Sequence, residues 1–316
     1  MNLQRRTAVA ALTAAGLLWG TTVPMTKLAL QGLPPGWLTV ARFGLAAAVL
    51  LVAVRFRVRA AASPAVLTWG AVGYGGSILV QNAGITRTSV SRAALLVGAT
   101  PMLVAVIAAL RHRRVARPMA WLGFAVSLVG VGLVAAGGSG GATLTGDGLV
   151  LASLVCSASF TVAQARLLAG RDPVAVTALQ FLVAALATLP LAAITEGSPA
   201  APGGAGALLA TAGLVLVGTL APFTLFAYGQ ARVSAESAGA FLNLEPLVGA
   251  AAGAVVFGDP VGIAQAAGGA AILTGIALSS LPLLRTRRPR GHPALQQQLH
   301  AGPERHADSQ DLQIAA

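Results

Sequence analysis

The chain has 316 residues, of which 56% are hydrophobic and only 9% are charged, and its formal net charge is +12. A soluble domain is typically about 45–50% apolar and about 25% charged, so this composition nearly excludes a water-soluble globular enzyme. The positive charge raises nucleic acid and anionic lipid as alternative partners.

Ten mostly apolar runs follow one another, each close to the roughly 20 residues that a helix needs to cross a bilayer. Backbone polar groups have no water partners in hydrocarbon, so each run is expected to be helical, and the alternating pattern of a transmembrane barrel strand is absent. The sequence therefore predicts an all-α polytopic membrane protein with ten transmembrane helices, at 7–29, 36–56, 64–84, 91–111, 119–138, 147–168, 173–194, 207–227, 237–257 and 262–282.

The last segment, 285–316, begins with several arginines and becomes rich in glutamine, which predicts a disordered cytoplasmic tail. Cys156 is the single cysteine, which excludes an intrachain disulfide and any cysteine-based metal site. The four histidines lie in a basic loop and in the tail without ligand spacing, so no metal site is predicted. No cofactor is predicted either, because the only lysine, Lys27, follows Thr26 and cannot complete a Gly-Lys nucleotide-binding motif.

The arginines predict the orientation in the membrane. If all ten runs cross, 17 of the 21 basic residues fall on the side that holds both termini. The positive-inside rule then places both termini in the cytoplasm of a multi-pass cell-membrane protein. Because these charges are scattered over several loops, they are assigned to topology, and nucleic acid is not expected as a partner. The partners that the sequence predicts are the lipid bilayer and a small-molecule substrate.

An internal repeat with an offset of 145 residues is visible at four pairs: Pro101 and Pro246, Arg87 and Arg232, Ser89 and Ser234, Gly123 and Gly268. Residues 1–140 and 146–284 are therefore predicted to be two five-helix repeats. Because five is odd, the second repeat enters the membrane from the opposite side, which is the inverted-repeat arrangement of many secondary transporters.

Several short motifs resemble those of the EamA family in the drug/metabolite transporter superfamily. They are Trp19-Gly20 with Lys27, then Pro34-Pro35 and Arg42, and in the second half Leu244-Glu245-Pro246, Phe257-Gly258-Asp259, Gln265 and Gly268. The resemblance covers about residues 11–282. Two loop positions depart from the family pattern, since Asp259 stands where Glu is usual and Arg114 where an acid is frequent. The resemblance implies a ten-helix exporter of small metabolites or drugs that works by alternating access.

Glu245 is the acid that the sequence predicts inside a helix, about 12 Å from the end if the helix starts near 237. A carboxyl group at that depth in the membrane costs free energy, so a functional or structural role is expected for it. It could carry a proton or bind a cationic group of the substrate, or it could be a protonated structural residue bonded to a neighbouring helix. Asn243 is a plausible polar neighbour, or it could bond between helices.

Three further residues are candidates for the substrate site. Arg42 lies about six residues into the second run and could bind a carboxylate, or its stem could extend to the interface. Trp19 and Tyr74 fall near mid-bilayer, where they could stack on a substrate or pack between helices. The Gly-x-x-x-Gly motifs that begin at Gly16 and Gly249 predict close helix packing within the chain, with a homodimer as the alternative to a monomer.

The resulting hypothesis is a secondary active transporter that exports an amino acid, an amphipathic amine or another small metabolite or drug, with proton coupling through Glu245. The alternatives are a membrane enzyme that acts on lipids, which would want paired acids or histidines at the interface, and a channel or structural membrane protein.

Overall fold

The structure, a computed structural model, describes residues 3–112, 118–136, 143–199, 204–230, 232, 241, 244–259 and 261–285. These residues form ten helical segments, one short 3-10 turn at Arg59–Ala61, and no strand. The segments are α1 (Leu3–Gly20 and Thr22–Ala29), α2 (Pro35–Ala53), α3 (Pro64–Trp69, Gly70–Gly76 and Ser77–Ile85), α4 (Val90–Val97 and Thr100–His112), α5 (Pro118–Ala136), α6 (Leu144–Leu167), α7 (Pro173–Glu196), α8 (Ala205–Val215, Leu216–Leu220 and Ala221–Gln230), α9 (Leu244–Val256) and α10 (Ile263–Arg285).

The segments fall on the ten predicted apolar runs, and the protein is an all-α polytopic membrane protein as predicted. Among the described residues, six helices are long and apolar enough to cross a membrane: Arg6–Ala29, Pro35–Ala53, Val90–Arg111, Leu144–Gln164, Pro173–Glu196 and Ala205–Gln230. Shorter apolar helices cover Trp121–Val134, Leu244–Val256 and Ile263–Gly275.

The chain divides into two units, Met1–Leu283 and Leu284–Ala316. The first unit contains α1 to α9 and nearly all of α10. Of the second unit, the structure describes only the two residues that end α10. The predicted disordered tail therefore lies outside the described residues, apart from Arg285.

The helix bounds repeat at the predicted offset. Adding 145 to the bounds of Thr100–His112 in α4 gives the bounds of α9 to within one residue, and α5 and α10 begin 145 residues apart. The wide, π-helical turn Gly70–Gly76 of α3 is matched by the wide turn Leu216–Leu220 of α8. Since such turns are rare, a pair at matched positions is specific support for a duplicated five-helix unit.

The packing has the same symmetry. In the first repeat α1 packs on α8 and α9, and in the second α6 packs on the matching segments α3 and α4. Matched segments meet directly where α2 packs on α7, and where α5 lies against α10. There the Ser127 hydroxyl donates to the Ile272 carbonyl oxygen at 3.3 Å, and these two residues are themselves 145 apart.

Small residues allow the close approaches between the repeats. A Cβ atom on Gly20 of α1 would overlap Val248 of α9, and one on Gly249 would lie 2.7 Å from Ala94 Cβ of α4. Both Gly-x-x-x-Gly motifs are thus used for packing within the chain, because no side chain larger than hydrogen fits between these backbones.

Charged groups tie the repeats together at one end of the bundle, which we call the Asp147 end. Asp147, in the first turn of α6, forms a buried salt bridge with Arg92 of α4, and the Thr88 hydroxyl donates to its second oxygen at 2.9 Å. Nearby, the Asp259 carboxylate accepts a hydrogen bond from the Ser91 N–H at 2.7 Å. The sequence placed Asp147 only at a helix end, and its burial against Arg92 becomes visible only in the structure.

Lys27 also lies at the Asp147 end, where its ammonium group donates to the carbonyl oxygens of Ile85 (2.8 Å) and Thr88 (2.7 Å). Ile85 is the last residue of α3 and Thr88 lies in the loop that follows, so the cation satisfies one carbonyl that the helix terminus leaves without an intrahelical partner and one carbonyl of the adjoining loop. Lys27 is therefore occupied as a helix cap.

Candidate functional site

A cavity of about 150 Å³ lies between the two repeats. Residues of α1 to α4 and of α6 to α9 line it, so both repeats contribute. Four of the five side chains predicted as site residues lie on its wall: Trp19, Arg42, Tyr74 and Glu245. The fifth, Asn243, lies outside the described residues. The structure thus brings together residues from α1, α2, α3 and α9 that are far apart in the sequence.

Arg42 is almost fully buried and is bonded to the wide turn of α8. Its Nε donates to the Thr219 hydroxyl oxygen at 2.7 Å, and its Nη2 donates to the Gly218 carbonyl oxygen at 3.1 Å. This position differs from an arginine whose stem extends to the membrane interface, because the guanidinium is enclosed by protein. Both partners are neutral, so the positive charge of Arg42 is not cancelled by them.

Glu245 lies on the cavity wall in the first turn of α9. The described helix begins at Leu244, whereas the start near 237 that the sequence suggested lies outside the described residues. Pro246 therefore sits in a first helical turn, where a missing N–H costs no intrahelical bond. Within the part of the chain that the structure describes, the Glu245 carboxylate has no hydrogen-bond partner.

Aromatic rings form one side of the cavity. The Trp19 ring centroid lies 5.0 Å from those of Phe223 and Phe226, and the Tyr74 centroid lies 4.6 Å from Phe160 and 5.1 Å from Phe223. These distances and the tilted or edge-on orientations are those that aromatic pairs prefer. The three phenylalanines were not predicted as site residues.

Neutral polar groups line another part of the wall. Gln164 of α6 and Gln180 of α7 exchange two amide hydrogen bonds, of 3.0 and 2.9 Å, and Gln164 faces the cavity together with Thr161 and Gln230. The cavity therefore combines a guanidinium, a carboxyl group, an aromatic surface and neutral hydrogen-bonding groups. No group of three metal-ligating side chains occurs among the described residues.

The comparison with protein families decides the identity of this architecture. The EamA-like transporter family matches residues 6–136 and residues 144–281, once for each repeat. The chain belongs to the EamA-like transporter family. This confirms the resemblance that the sequence motifs indicated, and with it the membership of the drug/metabolite transporter superfamily. The EamA-like chain is accordingly a membrane-embedded transporter of a small molecule and not an enzyme.

Individual relatives agree with the family. The EamA-like chain is 28% identical over 298 residues to a probable terminal-alkyne amino-acid exporter of Streptantibioticus cattleyicolor, which covers 90% of this chain and 97% of the relative. It is 36% identical over 77 residues to an uncharacterized transporter of Archaeoglobus fulgidus, which covers 24% of this chain and 28% of that protein.

A solved structure, described only as the crystal structure of a protein, matches the fold with a TM-score of 0.65. The match has 23% sequence identity and covers 89% of this chain and 99% of the other.

Proposed function

We propose that this transporter exports small zwitterionic amino acids with apolar side chains, by alternating access and in exchange for protons. The observation that carries the proposal is the presence of Arg42 and Glu245 on the wall of one cavity that also has an aromatic face. A free amino acid has a carboxylate for the arginine, an ammonium group for the glutamate and a side chain for the aromatic rings.

The energetics favour a substrate with both charges. An ion that leaves water for a protein cavity must be paired and hydrogen-bonded there, because the desolvation cost otherwise exceeds what other contacts return. A zwitterion satisfies both ionic residues at once. An amphipathic amine, the other candidate class, would pair with Glu245 but leave the charge of Arg42 without an opposite partner.

The named relative supports the same class of substrate. The Streptantibioticus cattleyicolor protein is called a probable terminal-alkyne amino-acid exporter, and nearly all of its length aligns with this chain. Its name combines an amino acid with an apolar side-chain group. The Trp19, Tyr74 and Phe223 rings offer a matching apolar surface here, and each square ångström of apolar surface that leaves water contributes about 25 cal/mol.

Proton coupling follows from the chemistry of Glu245. One carboxylate can hold either a proton or a substrate ammonium group, so the two occupy it in turn. When the cavity opens in turn to each side of the membrane, as in an inverted-repeat transporter, a proton is exchanged for a substrate molecule at this carboxylate. Under the predicted topology, with both termini in the cytoplasm and the protein in the cell membrane, substrate leaves the cytoplasm as protons enter.

Two further features stay predictions. One is whether the protein is a monomer or a dimer, and the other is the set of domain limits, 1–140, 146–284 and 285–316.

The test uses the full chain in proteoliposomes loaded with radiolabelled leucine. An imposed pH gradient is expected to accelerate leucine efflux for the wild type, and Glu245→Gln is expected to abolish this acceleration. The matched control is Asp172→Asn, which removes a carboxylate at an exposed helix cap away from the cavity. Gradient-driven efflux that survives in Glu245→Gln would overturn the role of Glu245 as the coupling residue.

Substrate class is tested in the same vesicles. Leucine and 3-methylbutylamine, which is leucine without its carboxylate, are compared as competitors of leucine transport. The proposal expects leucine to compete far more strongly. Transport of the amine with no transport of leucine would replace the amino-acid hypothesis with the amine hypothesis.

A further inference from the structure

The two wide turns in the described part of the chain are matched in position but differ in the contacts that their side chains make. In α3 the turn carries Gly73 and Tyr74, and in α8 the residues 145 positions later are Gly218 and Thr219. Tyr74 points its ring to the aromatic cluster, whereas Thr219 and Gly218 bond to Arg42. Only the second wide turn, of the two, thus serves a charged residue of the cavity.

The hydrogen bonds of Thr219 run in one direction. Its hydroxyl donates to the Leu214 carbonyl oxygen, five residues back, at 2.8 Å. Because its single proton is used there, the hydroxyl oxygen presents a lone pair to Arg42 Nε. A wide turn shifts the backbone hydrogen bonds from their usual partners, so a carbonyl such as that of Gly218 can accept a bond from outside the helix.

These bonds occupy one edge of the guanidinium and leave another. Nε and Nη2 form the side edge, and both are bonded to α8. Nη1 makes no hydrogen bond to any residue that the structure describes, and Arg42 faces the cavity. A guanidinium binds a carboxylate through two parallel N–H groups, and the end edge of Nη1 and Nη2 can still supply such a pair.

We infer that Thr219 is a positioning residue for substrate recognition: it fixes the side edge of Arg42 so that the end edge faces the cavity and receives the carboxylate of the substrate. This rests on the proposed function, which supplies the carboxylate. It goes further by assigning carboxylate selectivity to a residue that is fully buried.

The test compares Thr219→Val, which keeps the shape and removes the hydroxyl, with Thr219→Ser, which keeps the hydroxyl. For each variant the KM for leucine and the inhibition constant of 3-methylbutylamine are measured in proteoliposomes. Thr219→Val is expected to raise the KM for leucine about tenfold, the usual effect of losing a hydrogen bond to a charged group. Thr219→Val should leave the inhibition constant of 3-methylbutylamine within about twofold of its wild-type value. Thr219→Ser should leave this constant and the KM for leucine near their wild-type values.

The ratio of the two constants separates positioning from a structural role. A general disturbance of the fold would weaken the binding of leucine and of the amine alike. Equal changes in the two constants would therefore overturn the inference, and so would an unchanged KM for leucine. A wild type that neither transports nor binds leucine would instead overturn the proposed function, and the assignment of Thr219 with it.

A double-mutant cycle provides a second readout that tolerates some loss of stability. In an Arg42→Lys background the side chain no longer has a guanidinium edge to fix, so Thr219→Val is expected to change the ratio no further. Additive effects of the two substitutions on the ratio would contradict the positioning role.

Discussion

Matched positions of the two repeats face the same cavity with different side chains. Six pairs of lining residues stand at the 145-residue offset. In five of them the chemistry differs, and these are Trp19 and Gln164, Ile78 and Phe223, Gln81 and Phe226, Ile85 and Gln230, and Thr100 and Glu245, while Val23 and Leu168 are aliphatic in both repeats. The backbone positions have thus kept the symmetry of the repeat while the chemistry has diverged. A cavity with identical halves could not distinguish the two ends of a small polar molecule, whereas this one offers each end a different wall.

Among the described residues of the first repeat, two arginines are buried, and they have different partners. Arg92 is paired with the Asp147 carboxylate across the repeat boundary, while Arg42 is held by neutral groups of α8. A buried charge in a hydrogen-bonded ion pair is a structural element, whereas a guanidinium at a cavity whose hydrogen-bond partners are neutral is suited to bind a ligand. The pairing of each arginine, rather than its burial, therefore indicates its role.

The largest effect, a loss of stability, is expected at the Asp147 end. The ion pair there is not repeated in the second half of the chain, because Ser237 stands at the position that matches Arg92. Asp147→Ala deprives Arg92 of its carboxylate, and breaking a buried pair in this way costs about 3–5 kcal/mol. We expect a clear loss of thermal stability of the detergent-solubilised protein.

The matched control for this loss is Asp172→Ala, which removes an exposed helix cap and is expected to cost about 1 kcal/mol. Replacing both Arg92 and Asp147 by leucine should recover most of the stability, because no charge is left buried. Equal melting temperatures for Asp147→Ala and Asp172→Ala would show that the pair does not hold the repeats together.

The next largest effect is expected on transport, from moving the carboxylate of Glu245 to the matched position in the other repeat. Glu245→Thr makes the two matched positions identical, and it is expected to lower gradient-driven leucine efflux about tenfold or more, as the loss of a charge-assisted contact would. Adding Thr100→Glu returns a carboxylate to the same cavity from the other repeat, and we expect partial recovery of efflux.

The control for that transfer is Thr195→Glu in the same Glu245→Thr background, since Thr195 is an exposed residue near the end of α7. It should restore nothing. Recovery by Thr195→Glu as well would mean that added charge alone affects transport, and no recovery by Thr100→Glu would mean that the two repeats do not present equivalent positions to the substrate.

Sequence reasoning could predict the fold because its signals are local and repeated. Apolar runs of about 20 residues, the distribution of arginines and the 145-residue offset each arise from constraints that the bilayer imposes along the chain. The charged residues of the cavity could also be singled out, because an ionisable group inside an apolar run such as Glu245 or Arg42 is rare.

The phenylalanines of the cavity could not be found in this way. Phe160, Phe223 and Phe226 are apolar residues in apolar helices, and nothing in the sequence distinguishes one that faces a cavity from one that faces lipid. The Thr219 contact was hidden for a related reason: threonines in helices usually bond to their own backbone, as Thr177 does with Pro173. Only the wide turn of α8 brings Thr219 Oγ1 to Arg42.

The smallest effect concerns the aromatic side of the comparison. Tyr74→Thr gives α3 the residue that α8 has at the matched position, and it removes a ring that contacts Phe160 and Phe223 edge-on. The leucine side chain would lose apolar contact with that ring, at about 25 cal/mol for each square ångström of apolar surface, so the KM for leucine is expected to rise roughly threefold to tenfold. Alanine, which has little side chain to place against the rings, should be affected less.

Tyr74→Phe is the matched control, because it keeps the ring and removes the hydroxyl, for which the structure shows no hydrogen-bond partner among the described residues. It is expected to leave the KM for leucine within about twofold of the wild type, since only the ring is assigned to the apolar surface. If Tyr74→Phe raised the KM as much as Tyr74→Thr, the hydroxyl would be the recognised group, and the first repeat would contribute a polar contact where the cavity chemistry predicts an apolar one.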